Sequence, residues 1–179
     1  MVLFYSLVCR YYVFWCARLS GSIRKFRIAV LSRMLREVGL SNSRFTNRLV
    51  IQKTAYLLQE VFGVDLGAKF FWYSYGPYSY EVARDYKLII EGSYLEYVSI
   101  DNEGVKGFLE FVKKVGDRFV TEEKGLEYWL EIIASLHMLS ERVYPPPEDV
   151  IEELVKRKPY LDKDDVRRTL EFMRREKIL

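Results

Sequence analysis

Histidine occurs once in this 179-residue chain and cysteine twice. A structural zinc site takes four Cys/His ligands; His137, Cys9 and Cys16 are too few and too scattered, so no metal is expected. The two cysteines are seven residues apart, beyond disulfide reach within one helix, and a reducing, cytoplasmic compartment is the default. The ten glycines are dispersed, so the chain has no Gly-rich phosphate loop and no cofactor is expected. No serine sits in a strained elbow and no cysteine neighbours a histidine, so an activated nucleophile is missing. The adjacent acid pairs Glu122/Glu123, Glu152/Glu153 and Asp164/Asp165 point apart on a helix and suit solvated helix ends. The chain reads as a non-enzyme. Asn and Gln total five, against 28 Lys/Arg and 25 Asp/Glu, a balance found in heat-adapted proteins.

What the chain does have is apolar and charged residues in quantity, with 50% hydrophobic and 30% charged. That composition argues for a folded core, and a chain of this size buries roughly 70% of its unfolded surface without needing a staple. The net charge of +3 is uneven. Residues 1–60 hold ten Lys/Arg and two Glu, while residues 61–179 hold 18 bases and 23 acids. A basic N-terminal third fits nucleic acid, an anionic membrane or an acidic partner; it fits equally well with ion pairs to the acidic remainder.

Residues 2–17 are apolar and aromatic but are interrupted by Arg10. The run is shorter than the ~20 residues of a membrane span, and its positive charges follow it, unlike those of a signal peptide. Residues 1–22 therefore read as a hydrophobic appendage, jointed at Ser20-Gly21-Ser22 and capable of weak membrane contact through Trp15. Residues 23–179 read as one helical domain, with 145–179 as a C-terminal helical subdomain.

Apolar spacing predicts helices over Ile23–Val38, Phe45–Phe62 and Tyr80–Glu91, with Gly39, Gly63 and Gly92 as stops. Residues 105–120 favour a helix. Thr121 is the expected cap of a long helix with the stripe Leu126, Trp129/Leu130, Ile133, Leu136/His137, and His137 there reads as a core residue. Two further helices cover Glu148–Lys156 and Asp162 to the end, after the stiff Tyr144-Pro-Pro-Pro147 break. Phe70–Tyr75 and Tyr94–Ile100 alternate as strands. The expected fold is mainly α with a small β element (α+β), with about seven helices and a two- or three-stranded sheet.

The most informative stretch is Trp72-Tyr-Ser-Tyr-Gly-Pro-Tyr-Ser79. Gly76 and Pro77 make a rigid turn, and Ser79 stands where an N-cap belongs, with Glu81 in the following first turn. The aromatics around the turn are either core or a docking surface. Together with Gln52-Lys53 and Tyr56-Leu57 on the preceding helix, this order of residues resembles the Panacea-domain (SocA antitoxin-like) proteins and a related YwgA-like group of archaea and bacilli. The resemblance covers about residues 45–92. It implies a helical, non-catalytic domain that binds a protein partner, such as a toxin or a protease substrate.

The expected partner-binding residues are thus Gln52, Lys53, Tyr56, Trp72, Tyr75, Gly76, Pro77, Tyr78 and Ser79. The alternative is a DNA-binding regulator using Arg24, Lys25 and Arg27 together with Arg167, Arg168, Arg174 and Arg175 on the last helix of a helix-turn-helix-like unit.

Overall fold

The computed structural model describes residues 3–39, 41–95 and 102–179, with side chains from residue 21 onward. Among the described residues there are eight helices and one two-stranded sheet: α1 (Leu3–Val38), α2 (Arg44–Glu60), β1 (Phe71–Tyr73), β2 (Gly76–Tyr78), α3 (Tyr80–Ala83), α4 (Tyr86–Glu91), α5 (Glu103–Phe119), α6 (Leu126–Glu141), α7 (Val150–Arg157) and α8 (Lys163–Arg175). The fold is mainly α with a small β element, as expected.

The centre is α6 packed on α2. Every residue of α6 from Trp129 to Leu139 is buried, as is every residue of α2 from Val50 to Leu58. A helix covered on all sides is a core helix rather than an amphipathic surface one. The single stripe expected for α6 is corrected accordingly: Glu131 and Ser135 also lie inside, beside His137, which is buried as expected. The other helices and the sheet pack around this pair. Phe119 stacks on Trp129 at 4.8 Å between ring centroids, and Phe172 meets Phe119 edge-on at 5.1 Å, joining α5 and α8 to α6.

Several boundaries follow from caps. Ser43 accepts from the Thr46 N–H, Asn102 from Val105, Asp149 from Ile151, and Asp162 from Asp164 and Asp165, each satisfying amides left free at a helix start. Ser79 accepts from Val82 at 3.4 Å. Thr121 is not the cap of α6: its hydroxyl closes a turn by accepting from the Lys124 N–H, and α6 begins after Gly125. The predicted Tyr80–Glu91 helix is two pieces, α3 and α4, divided at Arg84–Asp85.

Two larger differences concern the N-terminus and the sheet. No joint occurs at Ser20-Gly21-Ser22, because α1 runs through it without a break. Its intrahelical bonds tolerate one glycine, at about 1 kcal/mol. In the sheet, β1 pairs antiparallel with β2, in the register Phe71↔Tyr78, Trp72↔Pro77 and Tyr73↔Gly76. The reversal is therefore the two residues Ser74 and Tyr75, and Gly76-Pro77 belongs to a strand. The other predicted strand, Tyr94–Ile100, falls largely on residues 96–101, outside the described residues; Tyr94 and Leu95 are not extended. Among the described residues, no helix is long and apolar enough to cross a membrane.

Candidate functional site

The residues that stood out in the sequence meet at one place, where α2 grips the hairpin by its backbone. The Gln52 side-chain amide donates to the Ser79 carbonyl (3.0 Å), and its oxygen accepts from the Ser79 N–H (2.8 Å). The same amide also donates to the Tyr86 hydroxyl at 2.7 Å. One residue on, the Lys53 ammonium donates to the Pro77 carbonyl at 3.0 Å. Neighbouring positions of one helix turn thus hold Pro77 in β2 and Ser79, the residue that follows β2. Backbone groups that β2 cannot satisfy from its single partner strand are satisfied here, as burial demands.

From the other side the hairpin is braced by α6 and the residue after α7. Gly76 is buried at φ +84°, and a Cβ there would lie 2.4 Å from Ser135 Oγ and 3.2 Å from Lys158 Nζ. Lys158 is fully buried and donates to Glu131 Oε1 (2.7 Å) and Ser135 Oγ (2.9 Å). Tyr160 donates its hydroxyl to the same Glu131 oxygen. Trp72 lies under Arg157 (4.8 Å from guanidinium to ring centroid) and Lys158 (5.7 Å). Such cation–π contacts hold its ring against the α7 end.

Of the expected partner-binding residues, Gln52, Lys53, Tyr56, Gly76, Pro77 and Ser79 are therefore interior. Polar atoms of Gln52, Lys53, Tyr56, Pro77 and Ser79 are engaged within the chain, while Gln52, Lys53, Gly76 and Pro77 also line the cleft between α2 and the hairpin. Tyr56 is 1% exposed, with its hydroxyl 2.8 Å from His137 Nδ1. Burial lowers the His137 pKa and raises that of Tyr56, so a neutral phenol and a neutral imidazole share this hydrogen bond. Trp72 and Tyr78 are half-buried, and Tyr75 is exposed.

What does face solvent is a set of rings. Phe45, Tyr73, Tyr75 and Tyr80 are 55%, 55%, 42% and 68% exposed. Phe45 touches Tyr75 edge-on at 5.1 Å, Tyr73 packs on Tyr78 at 5.2 Å, and Tyr78 meets Tyr80 at 5.5 Å. Phe45, Tyr73, Tyr75 and Tyr78 line a cleft of about 240 Å³ between α2 and the hairpin, with Gln52 and Lys53 also in its lining, and Tyr80 stands next to it against Tyr78. Sequence reasoning counted Tyr73 among the aromatics around the turn without including it in the binding set, and missed Phe45 and Tyr80. The available clue was that Phe45 opens α2 outside the stripe of Leu49, Ile51 and Ala55/Tyr56.

The residues assigned to DNA are largely engaged elsewhere. Arg27 is 2% exposed and binds Asp85, as does Arg24. Arg167 pairs with Asp164, and Arg168 pairs with Asp165 while lying over Trp129 at 4.8 Å. Lys25 lies over the Tyr94 ring. Arg174 and Arg175 are exposed on α8.

Burial, together with repulsion from Lys158, pushes the Lys53 pKa down to about 7; burial also lowers that of Lys158. The unfolded chain then binds more protons than the folded one above pH 7, so stability rises with pH there. Between pH 7 and 9 the rise is expected to approach a limiting slope of about 1.4 kcal/mol per pH unit from Lys53. This window lies above the titration of His137, which burial lowers, and below those of Tyr56, Tyr78, Tyr86, Tyr128 and Tyr160, which burial raises. Urea denaturation at stepped pH measures it, and Lys53→Met should flatten the curve; an equally steep curve in that variant would reject the assignment. Comparison with family models, curated proteins and solved structures finds no match to this chain.

Proposed function

We propose that this chain is a non-catalytic protein-binding regulator, of the antitoxin or adaptor kind that its resemblance implies, docking through the aromatic rim of the α2–hairpin cleft. The observation that supports this reading is the cluster of four large exposed rings, Phe45, Tyr73, Tyr75 and Tyr80. Contiguous apolar patches are uncommon on monomeric proteins and mark interaction sites. Tyrosine is also among the residues that most often dominate binding energy. The rim is carried by a hairpin whose backbone is fixed on both sides, so a partner meets rings that are already positioned.

A photo-crosslinking residue placed at Tyr73, with Lys177 as a distant control position, tests this in the source cell. The expected result is one defined adduct from position 73 and none from position 177. Binding of that partner as a purified protein should then weaken by about 2 kcal/mol in Tyr75→Ala, with an unchanged melting temperature. If no adduct forms at position 73, or the adduct's protein binds the Tyr75→Ala chain equally well, the docking face is wrong.

A further inference from the structure

Two buried ammonium groups flank the Gly76-Pro77 segment, and one of them is paired with a buried carboxylate. Lys158 takes that carboxylate, Glu131, at 2.7 Å. Lys53 is 2% exposed; among the described residues its ammonium makes one hydrogen bond, to the Pro77 carbonyl, and no ion pair. A buried cation without a counter-ion is costly, and it either sheds its proton or acquires an anion. Lys53 differs from the buried cation Arg27, which has Asp85.

Space for an anion lies directly beside it. Lys53 lines the cleft of about 240 Å³, and among its described lining residues the one other charged group is Arg48, also a cation, lying over the Tyr86 ring at 5.6 Å. The described lining thus carries two basic groups, no carboxylate, and otherwise mostly aromatic and apolar walls. Its volume is below the ~300–1,000 Å³ of pockets for drug-sized molecules. Such a site suits one apolar side chain with a carboxylate close to it. In a polypeptide only the last residue offers both within one residue's reach, and capture of a terminal carboxylate is a recurrent mode of peptide recognition.

We propose that the cleft takes the C-terminal residue of a partner polypeptide, with its apolar side chain among the Phe45, Tyr75 and Tyr78 rings and its carboxylate on Lys53. This deepens the docking reading above and rests on it. The exposed rings Tyr73 and Phe45 at the mouth then contact the residues that precede the terminus.

The test uses the unaltered full chain and three probes: acetyl-Ala-Ala-Ala-Phe with a free carboxylate, the same peptide as its C-terminal amide, and N-acetyl-phenylalanine. Calorimetry and amide chemical shifts should show the free acid binding at least ~10-fold tighter than the amide, with shifts at Lys53, Gly76 and Tyr78. Affinity for the acid should fall as pH rises above 7, the charged and titratable groups around Lys53 being Lys158, Glu131, Arg48 and the tyrosines at 73, 75, 78 and 86. Leu49→Trp, which fills the cleft from α2, should abolish binding without touching Lys53. Equal binding of acid and amide overturns the carboxylate pairing. A tetrapeptide no tighter than N-acetyl-phenylalanine overturns the chain end in favour of a small aromatic acid. If no probe binds, the cleft is not a ligand site, and the docking face stands or falls on the crosslinking experiment alone.

Discussion

Replacing Gly76 with alanine is expected to destabilise the chain by about 3 kcal/mol, from two sources of similar size. A residue with a Cβ pays ~1–2 kcal/mol for the left-handed backbone region, and Gly76 sits at φ +84°. The new methyl carbon would also stand 2.4 Å from Ser135 Oγ. Ser135 is itself buried and bonded to Lys158, so it cannot swing aside without leaving an ammonium short of a partner. Overpacking of this kind adds ~1–3 kcal/mol. For a chain of this length the loss corresponds to a fall of about 6–12 °C in Tm. Gly116→Ala in α5 is the natural control, because no atom lies within 4 Å of a Cβ built there and a helical Gly→Ala change gains about 1 kcal/mol. Thermal denaturation of both variants should give shifts of opposite sign. A Gly76→Ala chain that melts with the unaltered protein would show that the hairpin is not held against α6 as described.

Asp85→Ala should have an equal or larger effect by a different route. The Asp85 carboxylate is wholly buried at the junction of α1 and α4; Oδ1 accepts from Arg24 at 2.8 and 3.0 Å, and Oδ2 accepts from Arg27 at 2.9 Å. Arg27 also donates to the Leu66 carbonyl, and these bonds keep its charge tolerable inside. Without the carboxylate the guanidinium stays buried and uncompensated, which costs ~3–5 kcal/mol. Arg24 is 46% exposed at its side chain, so Arg24→Ala should cost no more than ~1 kcal/mol. Urea denaturation at neutral pH distinguishes the two arginines. A further variant, Arg27→Met with Asp85→Leu, should recover much of the loss, since removing both charges removes the unpaired one. If Asp85→Ala and Arg24→Ala are equally mild, the buried ion pair does not hold α1 to α4.

The helices were legible in the sequence because their determinants are local. Ser79 and Asp162 cap where their chemistry suggests, and Gly92 ends α4 in the left-handed conformation. The strand partner was not legible. Gly76-Pro77 has the chemistry of a turn, yet it lies in β2, where Lys53 holds the Pro77 carbonyl and Gln52 holds Ser79 just beyond, from 24 and 27 residues away in sequence. The central position of α6 was hidden too, because Glu131 and Ser135 break its apolar pattern. Their partner, Lys158, comes from another part of the chain. The candidate site was half visible for the same reason. Its motif residues were identifiable by type, but only the packing separates those that face inward, such as Gln52 and Pro77, from the outward ring of Tyr75.

The grip on the hairpin engages main-chain atoms: the Pro77 carbonyl and both polar groups of Ser79. Main-chain atoms are the same whatever side chains the strand carries. Tyr73 and Tyr75 therefore project from a frame that does not depend on their identity, and Tyr80 follows immediately after that frame. Such a separation lets the rim mutate freely while the fold stays constant, as the variable loops of a binding scaffold do. Selection for a new partner would then act on three or four surface rings without disturbing the interior, and the same hairpin is a ready place to graft a recognition sequence by design.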